Sequence, residues 1–226
     1  PLSDYRVLKD AYAVLFTTTK EKNLASQSFR HYKANEIVVG YGTNAPPSDI
    51  EYKKMIFLDT FPRLKNKRII LFLGRIHPKK GVELLIEAFT SIAKRDASLC
   101  LVMAGPDQIG LKSKLQAKVI SEGIGDQVIW TGMLNDKYKW GALYCSELFC
   151  LPSHQENFGV VVAEALACGI PVAITDKVNI SSDVARYKAG FIFEDTVTGT
   201  TLAVEEWLLT SENKLDAMRC QALKLF

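Results

Sequence analysis

The sequence predicts an α/β protein with a doubly wound parallel sheet of about six strands and helices on both faces. Short apolar runs rich in β-branched and aromatic residues alternate with helical patterns, which is the order that βαβ units produce. A chain of 226 residues with 48% hydrophobic and 23% charged residues can bury a full core. No repeat or low-complexity tract interrupts the alternation.

The first part of the chain is less regular than the rest. A strand is predicted over Ala13 to Phe16, a helix over Lys20 to Phe29 and a short strand over Glu36 to Val39. Turn-forming residues fill 40–47, and the segment that follows is charged. We therefore interpret residues 46–67 as a charged connecting segment.

From residue 68 onward, strands and helices alternate regularly, and each predicted strand is a short apolar run. The strands are Arg68 to Gly74, Ser98 to Gly105, Gln127 to Gly132, Glu147 to Pro152, Pro171 to Thr175 and Gly190 to Phe193. The helices are Lys80 to Lys94, Ile109 to Gly123, Asp136 to Tyr144, Phe158 to Cys168, Ile180 to Tyr187 and a last helical region from about Thr200 to the end.

The most informative stretch is 147–171, which reads ELFCLPSHQENFGVVVAEALACGIP. Its first apolar run predicts a buried parallel strand, so Ser153 to Asn157 come at the carboxyl end, where open α/β sheets bind ligands. Glu156 therefore points into a predicted site. Glu164 follows about two turns into an apolar helix, where a carboxylate is costly to desolvate unless a polar group meets it. Taken singly, each glutamate also fits a solvated surface.

A basic turn leaves the first strand of the regular part of the chain. It reads Gly74-Arg75-Ile76-His77-Pro78-Lys79-Lys80-Gly81 and opens a helix. A helix N-terminus offers free N–H groups to a phosphate, and Arg75 and Lys80 can add charge-assisted hydrogen bonds. Without further evidence, a basic turn of this kind is usually a solvent-exposed surface turn that binds no ligand.

The two segments together resemble retaining glycosyltransferases of family four, the group 1 glycosyltransferases. The resemblance rests on the Glu-x7-Glu spacing of Glu156 and Glu164, on Asn157-Phe158-Gly159 after the first glutamate, and on the Ala-Leu-Ala-Cys-Gly-Ile-Pro run after the second. The basic turn is similar to that family's GR-x4-KG segment. The resemblance implies a Rossmann-like fold and the C-terminal half of a two-domain enzyme of the B architecture.

The resemblance also implies the roles of the site residues. Arg75 and Lys80 would hold the donor pyrophosphate, Glu156 would face the sugar, and Glu164 would accept hydrogen bonds from the ribose hydroxyls. We take Glu156, Arg75 and Lys80 as the catalytic candidates. The family places nucleobase contacts near Gly132, whereas Trp130 fits the core better. The predicted donor-binding set is Gly74, Arg75, Lys80, Gly132, Met133, His154, Glu156, Asn157, Phe158, Gly159, Val160 and Glu164.

The same resemblance suggests a domain organisation and partners. Residues 1–45 would be the tail of an N-terminal Rossmann domain plus a linker, and 68–226 a C-terminal nucleotide-sugar-binding domain. We interpret the chain as an excerpt, mainly the donor-binding half and inactive alone. The donor would be a UDP-, GDP- or ADP-sugar, and the acceptor a glycan, lipid or small molecule bound through the missing N-domain. Neither a cofactor nor a metal is expected.

Composition excludes several other classes. The sequence has no run of 18 or more apolar residues and no signal-peptide plan, which predicts a cytoplasmic protein, with the inner face of the membrane as a further option. A net charge of +3 is too small to indicate nucleic acid, although it suits anionic ligands or peripheral membrane contact. Five cysteines without a CxxC pair predict core thiols. The scattered His31, His77 and His154 form no metal cluster.

Two other phosphate motifs and two other functions remain as alternatives. Residues 105–112 have the glycine spacing of a Walker A loop, but Leu111 breaks the Gly-Lys step, and no GxGxxG sits at the first strand-to-helix turn. The chain could be a nucleotide-sugar-binding module without transfer activity. It could also be a non-transferase relative, such as an epimerase or a phosphorylase, although the lysine context of a pyridoxal-phosphate phosphorylase is not found.

Overall fold

The computed structural model describes residues 2–28 and 32–226. The predicted helix end at Phe29 and the histidine at His31 lie outside the described residues. The helices and strands in chain order are α1 (Leu2–Asp10), β1 (Val14–Phe16), α2 (Thr19–Ala25), β2 (Glu36–Val38), α3 (Ile50–Thr60), β3 (Arg68–Leu73), α4 (Val82–Ala93), β4 (Leu99–Ala104), α5 (Leu111–Ser121), β5 (Val128–Gly132), α6 (Asp136–Tyr144), β6 (Leu148–Leu151), α7 (Val160–Ala167), β7 (Val172–Thr175), α8 (Ser181–Tyr187), β8 (Gly190–Phe193), α9 (Val197–Leu209) and α10 (Glu212–Leu225).

The main sheet has six parallel strands in the order β5-β4-β3-β6-β7-β8. The chain proceeds from β3 outward to one edge, and then returns to β6 on the other side of β3. This reversal is the switch point of a doubly wound sheet, and the crevice above the carboxyl ends of β3 and β6 is where such sheets bind ligands. The predicted fold class and strand number are confirmed.

The central strands are apolar along their whole length because helices cover both faces of the sheet. All six residues of β4 are buried, and so is the middle of β3. On α4 the buried residues recur at helical spacing, for example Val82, Leu85, Ile86 and Phe89. This packed layer holds the loops above β3 and β6 in fixed positions.

A helix fills much of the segment that the sequence analysis treated as a charged connection. Its Phe57 is fully buried in the main core, together with Leu64 beyond the helix. The helix, α3, packs tightly on α6, where a Cβ at Gly141 would lie 2.4 Å from the Lys53 carbonyl oxygen. The helix was missed because its apolar residues do not form one stripe, and its stability comes from this close packing.

The two ends of the chain also differ from the prediction. Helix α1 was not expected, and β1 and β2 pair in parallel as a separate two-stranded sheet. The last helical region is two helices, because the backbone is extended at Thr210 and Ser211. The turn lets α10 pack against α7 and α8. Among the cysteines, Cys220 is exposed, so the prediction of core thiols is wrong for it.

Candidate active site

The crevice between the carboxyl ends of β3 and β6 is formed by two loops in close contact. Gly81 has φ = 65°, and a Cβ on it would lie 1.8 Å from the carbonyl oxygen of Pro152, just after β6. Only glycine fits this backbone conformation and this approach without strain. The His77 ring caps the short 3-10 turn before α4 by accepting the Lys79 N–H at 3.1 Å. The cap and the close contact fix the position of Lys80.

Lys80 and Glu156 form an ion pair across this crevice. The ammonium comes from the loop after β3 and the carboxylate from the loop after β6, and the two side chains are 17% and 19% exposed. Partial burial strengthens such a pair relative to one in bulk water. Two residues that the sequence placed on separate loops are therefore in direct contact.

The backbone of Glu156 is anchored to the loop between β7 and α8. Its N–H donates to the Lys177 carbonyl at 3.2 Å, and its own carbonyl accepts the Asn179 N–H at 3.0 Å. Gly159, with φ = 80°, then turns the chain into α7, which begins at Val160. The first N–H groups of a helix have no acceptor within the helix, so this end of α7 suits an anion.

Glu164 is enclosed on α7, where only 10% of its side chain is exposed. Its Oε1 accepts a hydrogen bond from Lys139 Nζ on α6 at 2.8 Å. Burial alone lowers the pKa of Lys139, but the hydrogen bond and charge of Glu164, together with Asp136, raise it above its usual value. The polar partner that the sequence analysis required for Glu164 is thus a charged lysine.

Helix α2 contacts the loop after β6 through Glu21. Glu21 Oε1 accepts a hydrogen bond from Asn157 Nδ2 at 2.7 Å, and Asn157 Oδ1 accepts one from Asn179 Nδ2 at 3.1 Å. These groups line a cleft of about 580 Å³ that also includes His154 and Glu156. Most of the lining side chains can form hydrogen bonds, which suits a polyhydroxylated ligand.

Two other predicted residues of the β6–α7 loop have partners outside the ion pair. His154 Nδ1 lies 3.0 Å from Asp195 Oδ2, and this contact holds the pKa of Asp195 below its usual range. The Phe158 ring packs against the Tyr41 ring, with centroids 5.5 Å apart. These contacts link the loop to the end of β8 and to the turn-rich segment near residue 41.

The remaining predicted residues are Gly74, Arg75, Gly132 and Met133, and their recorded contacts are with other partners. Arg75 is exposed, and its Nη1 is 3.5 Å from Gln108 Oε1. Gly74 packs against the loop after β4, where a Cβ at Gly105 would lie 1.8 Å from the Gly74 carbonyl oxygen. Gly132 ends β5, and the Met133 side chain is 79% exposed.

The loop with Walker A glycine spacing is closed by its own aspartate. The Asp107 carboxylate accepts hydrogen bonds from the backbone N–H groups of Ile109, Leu111 and Lys112 at 3.0 to 3.2 Å. These are the donors that a phosphate would need at the start of α5. The segment 105–112 is thus a turn from β4 into α5 whose free N–H groups already have an acceptor. No group of three potential metal-ligating side chains was found within the described residues.

Sequence reasoning missed two residues that hold the site together, Glu21 and Lys139. Glu21 lies in a Thr-x-x-Glu sequence, where the Thr18 hydroxyl accepts the Glu21 N–H at 3.0 Å, and this capping pattern could have marked the start of α2. Lys139 lies in a charged stretch whose residues give no sign of a partner on α7. Within 2–28 and 32–226, no helix is long and apolar enough to cross a membrane.

Comparison with known proteins gives one family for most of the chain. The family model described as "Glycosyl transferases group 1" matches residues 58–224. D-inositol 3-phosphate glycosyltransferase of Gordonia bronchialis is 31% identical over 166 residues, a match that covers 68% of this chain and 35% of the relative. The chain therefore spans about a third of the length of this curated relative.

Solved structures with the same fold include one ligand complex and one single domain. Anabaena HepE in complex with UDP and glucose superposes with a TM-score of 0.83 at 17% identity, over 99% of this chain and 61% of that chain. The C-terminal domain of a group 1 glycosyl transferase (LpcC) from Francisella tularensis gives a TM-score of 0.68 at 20% identity, over 81% of this chain and 96% of that chain. At these identities the structures establish the fold alone.

Proposed function

Because the chain belongs to the group 1 glycosyl transferase family, we propose that it binds a nucleoside diphosphate sugar. It forms the donor side of an enzyme that transfers the sugar to an acceptor hydroxyl with retention of anomeric configuration. The observation that carries the proposal is the Lys80–Glu156 pair at the switch point of the sheet, with Glu164 on the helix that follows. The Lys80 ammonium complements the negative pyrophosphate of such a donor, and the two carboxylates can accept hydrogen bonds from its hydroxyls.

In the proposed reaction, the pyrophosphate of the donor competes with Glu156 for Lys80. Arg75, which is exposed beside the crevice, and the N-terminal end of α7 add positive potential. This arrangement stabilises the negative charge that develops on the leaving phosphate as the glycosidic bond breaks. The protein's own cations and helix dipole supply this stabilisation, so the proposed step needs no metal.

Release of Lys80 leaves the Glu156 carboxylate free to face the sugar. There it accepts hydrogen bonds from sugar hydroxyls and stabilises positive charge at the reacting carbon. The cleft of about 580 Å³ beside Glu156 supports this assignment, since it is lined by hydrogen-bonding side chains such as Asn157 and Asn179. Glu164 is assigned to the ribose hydroxyls.

The proposal names a set of candidates for the nucleobase and for the acceptor. The base is uracil, guanine or adenine, and the acceptor is a glycan, lipid or small molecule. The bound UDP and glucose of the Anabaena structure favour a UDP-sugar as the first donor to test. Peripheral membrane contact is a further part of the proposal, which vesicle co-sedimentation would test.

A thermal-shift screen of the 226-residue chain tests the proposed binding. UDP-glucose, GDP-mannose and ADP-glucose would be added at millimolar concentration. A ligand present at 100 times its Kd stabilises the folded state by about 2.7 kcal/mol, which corresponds to a shift of roughly 5 to 11 °C for a chain of this size. The double variant Lys80→Ala and Glu164→Ala is the control and should not shift. A folded wild-type chain that responds to none of these sugars would refute the proposal.

Sugar transfer itself distinguishes the transferase from a binding module or an epimerase. Mass detection of a glycosylated acceptor by the longer protein containing this chain would support transfer. An isomerised nucleotide sugar without a glycosylated product would support the epimerase alternative instead.

A further inference from the structure

Glu164 is a nearly buried carboxylate on a helix whose other buried residues are apolar. It lies among buried apolar residues of α7, with neighbours such as Ala163 and Ala165. Its Oε1 is bonded to Lys139, whereas its Oε2 has no hydrogen-bond donor in the described part of the chain. The side chain keeps a small accessible surface of 10%. One oxygen is therefore fixed and the other is free to accept a hydrogen bond.

Lys139 is itself fixed from several sides. Besides Glu164, its Nζ lies 3.3 Å from Asp136 Oδ1 and 4.6 Å from the centroid of the Trp140 ring. Only 18% of the lysine side chain is exposed. Helix α6, which carries Lys139, leads from the end of β5 to the start of β6. The ammonium thus reaches α7 from the helix that follows Gly132 and Met133.

We propose that Lys139 is a positioning residue of the donor site. It holds Glu164 by one carboxylate oxygen and turns the other toward the ribose hydroxyls of the bound nucleotide. The inference rests on the proposed function, since Glu164 is a ribose ligand only if the crevice binds a nucleotide. The consequence is that Lys139 sets the preference for a ribonucleotide over its 3′-deoxy form, although it does not touch the ribose itself.

A purely structural role is the competing explanation for this ion pair. Burial of two charges costs desolvation free energy, and apolar residues of similar volume usually stabilise such a position as well or better. The apolar residues of α7 show that the surrounding space accepts such side chains. A need for an ionised, oriented carboxylate therefore explains an ion pair at this place better than a gain in stability does.

The test measures discrimination between a nucleotide and its 3′-deoxy form. Calorimetric titration of the 226-residue chain would use UDP, GDP and ADP and their 3′-deoxy counterparts. The wild type should bind the ribonucleotide about ten-fold or more tightly than the deoxy form, as expected for one hydrogen bond to a charged group. Lys139→Met should lower that ratio to about one and leave affinity for the deoxy form unchanged. Lys139→Arg, which keeps a charged donor, should restore most of the ratio.

The matched control is Lys137→Met on the same helix. Lys137 is exposed, and its Nζ lies 5.2 Å from the centroid of the Tyr138 ring, so the wild-type ratio should persist. If Lys139→Met does not fold, Lys139→Ser, which leaves room for water beside Glu164, should show the same loss of discrimination.

The outcomes separate this inference from the proposed function. No nucleotide binding by the folded wild type would refute the proposed function. Normal wild-type discrimination that survives in Lys139→Met would refute the positioning role alone, as would an equal loss of affinity for both forms. Failure of both neutral variants to fold would show that the pair is structural and would also overturn the inference.

Discussion

Lys80 and Arg75 are both assigned to the pyrophosphate, but their surroundings differ. Lys80 is enclosed and paired with Glu156, whereas Arg75 is exposed. We expect Lys80→Ala to weaken nucleotide-sugar binding by about 1.5 to 3 kcal/mol, the range for a hydrogen bond to a charged group. Arg75→Ala should cause a smaller loss, since solvent screens an exposed contact. Calorimetric titration measures both.

The neighbouring Lys79 provides the control for this pair of variants. Its side chain is exposed, and its structural contacts are made through the backbone, where its carbonyl accepts the His154 N–H at 3.0 Å. Lys79→Ala should therefore bind like the wild type. Equal losses in all three variants would indicate a general effect of surface charge instead of specific phosphate contacts.

The two glutamates should respond differently to the same substitution. Glu164→Ala should weaken the free nucleoside diphosphate and the nucleotide sugar alike, by about 1.5 to 3 kcal/mol, because both carry the ribose. Glu156→Ala should leave binding of the free diphosphate unchanged or tighter, since Lys80 loses its competing partner. Glu156→Ala should also abolish the additional binding affinity that the sugar gives UDP-glucose over UDP. Titration with UDP and UDP-glucose distinguishes the two, and equal loss of UDP affinity would contradict the division of roles.

At the level of elements, the turn between β3 and α4 depends on a glycine. Gly81→Ala places a Cβ 1.8 Å from the Pro152 carbonyl oxygen, so the two loops must separate and Lys80 must move. We expect a loss of stability well above the roughly 1 to 2 kcal/mol of left-handed backbone strain, together with weaker nucleotide binding. Gly110→Ala is the control, because Gly110 has φ = 77° but nothing within 4 Å of the added Cβ. Denaturant unfolding and titration would measure both effects, and similar losses in both variants would contradict the contact argument.

Helix α2 is attached to the β6–α7 loop mainly through Glu21. Burial raises the pKa of this carboxyl, but hydrogen bonds from Thr17, Asn157 and Thr18 together lower it below its ordinary value. A lowered folded-state pKa means that this stabilisation is present above the unfolded-state pKa. It is lost only as the pH falls through the lower, folded-state pKa.

Removal of Glu21 should therefore loosen α2 near neutral pH. Glu21→Ala should increase amide hydrogen exchange in α2 by about five-fold, as expected from the loss of roughly 1 kcal/mol, and leave β3 unchanged. Lys22→Ala is the control on the same helix, since Lys22 makes a single ion pair within the described residues, a 3.8 Å contact with Glu36. Unchanged exchange after loss of Glu21 would show that other contacts hold this helix.

On the scale of the whole molecule, the candidate site lies at the carboxyl ends of β3 and β6 in one six-stranded sheet. The resembled family carries out transfer between two Rossmann domains, and an enclosed, oriented pair of reactants can supply about 7 to 11 kcal/mol of a barrier. We expect the 226-residue chain to bind donor and to show at most slow donor hydrolysis. The assay compares it with a two-domain protein of the kind that the proposal requires, using a matched donor and saccharide, lipid and small-molecule acceptors. Comparable transfer by both would show that this chain alone contains a complete catalytic site.

The alternation of apolar runs and helical patterns was enough to predict the parallel sheet, and it indicated at which edge a ligand site would lie. Continuous apolar strands, separated by helices, can be buried only in a doubly covered parallel sheet, and polar residues at their carboxyl ends then meet at one edge. Lys80 and Glu156 could be proposed from such positions, since each lies in a loop that follows a strand, whereas Glu164 and the roles of all three residues followed from the family resemblance.

The contacts among these residues, and the partners that hold them in place, could be seen only in the three-dimensional structure. The Lys80–Glu156 contact joins residues 76 positions apart, and Lys139–Glu164 and Glu21–Asn157 join different helices and loops. Helix α3 was not predicted because it, too, depends on a contact between distant parts of the chain. Its packing on α6 is possible only because Gly141 has no Cβ. Local sequence patterns indicate helices, strands and turns. These side-chain pairs depend instead on how elements that are far apart in the chain pack together. A single sequence does not show which residues of such elements come into contact.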